Sequence, residues 1–130
     1  MFKTNTLGGW IVPAETTIPN ETKIPNFSEF GNDCKIGDDC KIGDDCKIGS
    51  GCTFGNDCKI GSGCTFGDDC KIGDACIIGD ACIIGDDCKI GDGGTIGNYC
   101  ENGNHCKIGN HCKIGNDCTF GDACIIGSGC

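Results

Sequence analysis

Sixteen cysteines, two histidines and nineteen acidic residues are the side chains of this chain that could do chemistry. From Cys34 to Cys130 a cysteine stands at every sixth position, with Gly94 the one gap. Thiolates bind soft ions such as Cu(I) and Zn²⁺, but no Cys-x-x-Cys pair occurs to begin such a site. His105 and His111, each within an Asn-His-Cys run, have the chemistry of a general base. Asp68 and Asp69, followed by Asp86 and Asp87, offer four carboxylates to a hard cation such as Ca²⁺.

These groups are positioned by a six-residue unit, most often Ile-Gly-Asp-Asp-Cys-Lys, which runs from Val12 to Cys130 without insertion or deletion. Slot one is apolar at Val12, Ile18, Ile24, Phe30 and every sixth residue to Ile126, except at Asn102. Slot five is Cys, or else Thr16, Thr22, Ser28 or Gly94. Cys-Lys-Ile alternates small apolar, polar and large apolar, the pattern of a short strand with Cys and Ile inward and Lys outward. The intervening Gly-Asp-Asp, Gly-Asn-Asp and Gly-Ser-Gly are turn chemistry. The unit predicts an all-β coil that stacks on itself, each strand parallel to its copy one turn later. Slot two is Gly from Gly31 onward but Pro13, Pro19 and Pro25 in the first three units. Proline fixes φ near −65°, so slot two does not demand positive φ. Slots three and four are expected to hold any left-handed residue, and slot-two glycine to leave room at a tight corner.

An aliphatic residue, Gly, two variable residues, a small residue and another variable one resembles the bacterial hexapeptide repeat. The resemblance covers Val12–Cys130. It implies a single left-handed parallel β-helix, a triangular prism of roughly six to seven coils of 18 residues. At a strand spacing of about 4.8 Å the prism would be roughly 30 Å long. Residues 1–11, with Phe2 and Trp10, are expected to cap its lower end. Three in-frame phenylalanines, Phe30, Phe66 and Phe120, would share one column and Phe54 another. The upper strand edge is expected to be covered by another chain, as soluble proteins cover exposed edges.

On that coil, stacked cysteines have parallel Cβ vectors at the strand spacing, beyond the roughly 3.8 Å of a normal disulfide. Free Cys acts as a small hydrophobe, and Thr16, Thr22 and Ser28 in the same slot point to a size requirement. We therefore read the cysteines as packing and expect no resident metal or cofactor, with the carboxylates of Asp68, Asp69, Asp86 and Asp87 the fallback cation ligands. Slot six separates three faces. The first carries Lys35, Lys71, Lys89 and Lys107, the second Lys23, Lys41, Lys59 and Lys113. The third reads Glu29, Lys47, Thr65, Ile83, Glu101 and Thr119. Like-charged ladders resist docking, so the third face is the expected association surface, with Ile83 at its middle. Threonines are split over all three faces, which excludes an ordered ice-binding array.

The repeat breaks in one zone, at Gly94 and Asn102, with Tyr99 and Glu101 between them and His105 and His111 nearby. The resemblance includes acyltransferases that use acetyl-CoA and a catalytic histidine. In some of them His stands in slot three of a His-Asp-Cys run, whereas both histidines here stand in slot four. The chain has no arginine to hold CoA phosphates and no loop between coils. The net charge of −9 disfavours nucleic acid and anionic membranes as partners. Residues 1–11 hold no apolar run long enough for a secretory signal or a span, which predicts a reducing, cytoplasmic setting or an assembly formed there, such as a virion. The leading expectation is a non-catalytic β-solenoid, a spacer, spike or scaffold with protein partners, including its own copies. The alternatives are an acyltransferase with an inter-subunit site near His105 or His111, and an acidic module that imitates nucleic acid.

Overall fold

The computed structural model describes residues 2–130; Met1 of the expected cap lies outside them. The fold is all-β. Strand β1 (Lys3–Thr4) pairs antiparallel with β2 (Trp10–Val12), and every later pairing is parallel. From β3 (Thr17–Ile18) to β21 (Ile125–Ile126), each strand is two residues, slots six and one of a unit. The strands are thus one residue shorter than the three expected, although the slot-five carbonyl still accepts from the slot-six N–H of the coil above, as Cys40 O does from Lys59 N at 2.9 Å. Every third strand pairs with the next one eighteen residues on, as Lys59 does with Ile77 and Ile60 with Ile78. Among the described residues the result is three sheets, eight-, seven- and six-stranded and parallel throughout except for β1 at the edge of the first, wrapped as the faces of a solenoid of just over six coils. Trp10 and Ile11 already belong to the third face, since Ile11 pairs with Glu29.

The corners follow from three slots. All twenty slot-four residues, from Glu15 to Gly129, have positive φ, including Phe27 (63°), Ala75 (56°), Tyr99 (59°) and both histidines. Slot four is therefore the left-handed position, and slot two is not. Slot three is Asn, Asp or Ser in every unit after Ala14. Except at Ser62, its side chain accepts from the slot-three N–H one coil above: Asn20 Oδ1 from Asp38 N and Asp68 Oδ1 from Asp86 N, both at 2.8 Å. A ladder of side-chain caps thus climbs each corner, and it needs small residues beside it. A Cβ on Gly37 would lie 2.7 Å from Asn20 N, in the space the cap occupies, and one on Gly67 would lie 2.6 Å from Ser50 N.

The prolines now have a reason. From the second coil upward the slot-two N–H, Gly85 excepted, donates to the slot-one carbonyl below, as Gly37 N does to Ile18 O at 2.9 Å. Pro13, Pro19 and Pro25 lie in the first coil, with no coil beneath to receive an N–H or to collide with a ring. The slot-five hydroxyls are explained in the same way. Thr16, Thr22 and Ser28 donate to the slot-two carbonyl of their own corner at 2.6–2.8 Å, where higher coils use a thiol that donates to the corner below.

The core is a stack of slot-one and slot-five side chains, fully buried from Val12 to Cys112 apart from Thr16, Thr22 and Gly94. Phe30, Phe66 and Phe120 do share the third-face column. The ring contact, however, runs across columns: Phe54 meets Phe66 edge-on with centroids 5.6 Å apart. Phe2 and Trp10 pack on the lower end, their rings 5.3 Å apart.

Candidate functional site

The sixteen thiols form three columns inside the prism, and all are free. Each S–H donates to the slot-two carbonyl one coil below, as Cys58 Sγ does to Gly37 O at 3.2 Å and Cys82 Sγ to Gly61 O at 3.3 Å. Cysteine thus fills a small apolar slot and also satisfies a corner carbonyl. Burial pushes the Cys52 and Cys106 thiols up to about 11. Cys64 is raised well beyond the ordinary thiol range by hydrogen bonds with the thiols of Cys46 and Cys82 and by burial. Raised in this way, Cys52 and Cys106 are poor nucleophiles and poor metal ligands, because both tasks need the thiolate, whereas hydrogen bonds from neighbouring thiols pull Cys46, Cys70, Cys76 and Cys82 the other way. In the second-face column Gly94 removes one thiol; a Cβ there would meet Cys76 O at 3.2 Å, so the slot has nearly enough room for a side chain.

The four expected cation ligands stack at one corner, but Asp68 and Asp86 each spend an oxygen on the backbone N–H above, at 2.8 Å. Among the described residues no group of three or more His, Cys, Asp or Glu is arranged to hold a metal ion. His105 and His111 stand at successive corners, exposed, at φ 58° and 57°. Their backbone N–H groups close the ladder to Asp122 O and Ser128 O at 2.8 Å. The structure does not bring them together.

Of the irregular zone, Gly94 stands in the second-face column, whereas Tyr99, Glu101 and Asn102 stand together on the third face and the corner leading into it. Tyr99 stands 63 % exposed on a corner and Glu101 is exposed on the third face. Asn102 is buried between Ile84 and Phe120. Asn102 Nδ2 reaches Thr119 O at 3.3 Å, but its Oδ1 is buried without a hydrogen-bond partner. The backbone ladder passes through undisturbed, with Gly103 N to Ile84 O at 2.8 Å and Gly121 N to Asn102 O at 2.9 Å. The flaw is one of side chains only.

The surface divides as expected by charge and then adds something. Lysine ladders cover the first and second faces, and the second also forms a shallow groove of about 430 Å³ lined by Glu21, Lys23, Asp39, Lys41, Asp57 and Lys59. The exposed aromatics Phe27 and Tyr99 stand in one slot-four column, on the corner leading into the third face. Sequence reasoning passed over this column. The signal was a bulky residue in a slot otherwise filled by small or polar ones. The slot-three cap ladder was also missed, because its near-uniform Asn, Asp and Ser read equally well as solvated turn residues.

Among the described residues no helix is long and apolar enough to cross a membrane. Residues 18–106 match the model of a family described as the GMPPB C-terminal domain. Comparison with curated proteins and with solved structures returned no match.

Proposed function

We propose, from the premise that this chain belongs to the GMPPB C-terminal domain family, that it serves as a rigid, non-catalytic β-solenoid in a multi-chain structure. The observation that carries this reading is the corner ladder, in which cap follows cap without a gap from Asn20 to Ser128 on one corner. Every coil is tied to the next through backbone, Asx cap and thiol, so one prism behaves as one stiff spacer or scaffold. A family described as a domain fits a module that works attached to, or assembled with, other protein. Its partners are protein, including further copies of the chain, and the acidic surface disfavours nucleic acid and anionic lipid. Sixteen free thiols suit a reducing compartment, the cytoplasm or an assembly formed there such as a virion.

The competing reading is acyl transfer at His105 or His111, and calorimetry with acetyl-CoA separates the two. The solenoid reading expects no saturable heat. Saturable binding that disappears in His105→Ala or His111→Ala would overturn it.

A further inference from the structure

Of the eight exposed large apolar residues among the described ones, five gather on one side of the prism. Ile11 and Ile83 lie on the third face, Phe27 and Tyr99 line the corner leading into it, and Leu7 borders a groove with Phe27 and Lys47. The other two faces carry most of the lysines, stacked at Lys71, Lys89 and Lys107 on the first and at Lys23, Lys41 and Lys59 on the second, and each exposes a single isolated slot-six isoleucine, Ile125 and Ile77; like-charged stacks repel close approach of a like surface. Resting on the assembly reading above and naming its partner, we propose that the third face docks on the same face of a second copy in an antiparallel twofold dimer, Lys47 of each copy against Glu101 of the other.

The register follows from the order of charges. Successive third-face slot-six residues are Glu29, Lys47, Thr65, Ile83, Glu101 and Thr119, one coil apart. A closed pair of copies must relate them by a twofold axis, because a shifted head-to-tail match would propagate into a filament. With parallel prisms each residue meets its own height, so Lys47 faces Lys47 and Glu101 faces Glu101, which is repulsive. With antiparallel prisms and the axis at Thr65, Glu29 would face Glu101. With the axis at Ile83, Lys47 would face Thr119 and gain no partner. With the axis midway between them, Lys47 faces Glu101 twice and Thr65 faces Ile83 twice. The same axis sets Tyr99 against Asp45, a hydroxyl donor against a carboxylate, and Phe27 against Asp117 at the end of the overlap, while Ile11 and Leu7 lie beyond it and Ile83 and Tyr99 are the apolar residues well inside it. The Glu29 carboxylate is already held by Asn5 Nδ2 at 3.0 Å. Asp69 and Asp87 meet across the opposite rim, where solvent screens them. A face roughly 30 Å long lies at the low end of specific interfaces, so the dimer is weak and reversible.

Sedimentation equilibrium over a concentration series tests this on the intact chain. The wild type is expected to show a monomer–dimer equilibrium. Lys47→Glu and Glu101→Lys alone should each weaken it about tenfold or more, since two attractive pairs become repulsive. The double variant Lys47→Glu/Glu101→Lys should recover to within about threefold of wild type. A monomer at all concentrations, a trimer, or a double variant no tighter than the singles would overturn the proposal. Acetyl-CoA binding would instead remove the assembly reading, whatever the sedimentation result.

Discussion

Ala75, Ala81 and Ala123 hold φ of 56–57° with no polar side chain to compensate the left-handed backbone, a conformation costing roughly 1 kcal/mol or more for a residue with a Cβ. Ala75→Gly should therefore raise stability by about 0.5 kcal/mol, part of the relief being offset by glycine's greater freedom when unfolded. The reverse exchange in slot two has the opposite sign. Gly67→Ala drives a Cβ to 2.6 Å from Ser50 N and should cost roughly 3 kcal/mol. Chemical denaturation of the two variants checks both signs. Asn102→Ile should stabilise by about 1–2 kcal/mol, because it removes a buried carbonyl oxygen that nothing satisfies; a loss of stability would show that the amide has a role. Two of the thiols, raised by burial, set a pH dependence. Cys52 and Cys106 titrate near 11 in the fold against an ordinary 9.0, so above pH 9 the unfolded chain binds fewer protons than the native one. Stability present below pH 9 should fall as pH rises towards 11, which thermal melts across that range would reveal. At this scale inward and outward positions were legible in the sequence, because strand alternation writes burial into residue type. The left-handed slot was narrowed only to two candidates, since Asp and Asn suit both a cap and positive φ.

The element of this protein is the corner more than the two-residue strand. Asp68→Ala deletes the cap on Asp86 N and should cost about 1 kcal/mol. Asp68→Asn keeps the acceptor, removes one charge from an acidic chain, and should be neutral or slightly stabilising; equal losses in the two variants would count against the cap. The corner also explains why the sequence changes character in its first coil. Proline and hydroxyl residues stand where no coil lies beneath, and glycine and cysteine take over where one does. Coil length and parallel stacking could be read from periodicity and resemblance. The cap ladder could not, because a carboxylate that hydrogen-bonds to a backbone eighteen residues away looks the same in sequence as a solvated turn.

For the whole molecule the account joins a uniform interior to an uneven surface. Histidines and corner carboxylates, the residues that first suggest chemistry, are spread along the outside as parts of a repeated corner. The grouping that the fold does create is the apolar third-face side. Half of that grouping was visible beforehand, in the lysine-poor face; the Phe27 and Tyr99 column needed the three-dimensional order of the corners. The central claim is that the coils form one stiff rod. Hydrogen exchange resolved along the chain tests it most directly. The account predicts uniformly slow exchange of slot-two and slot-six amides from the second coil to Lys113, unchanged through Gly94–Asn102. Fast exchange confined to that zone, with protected coils on either side, would contradict it.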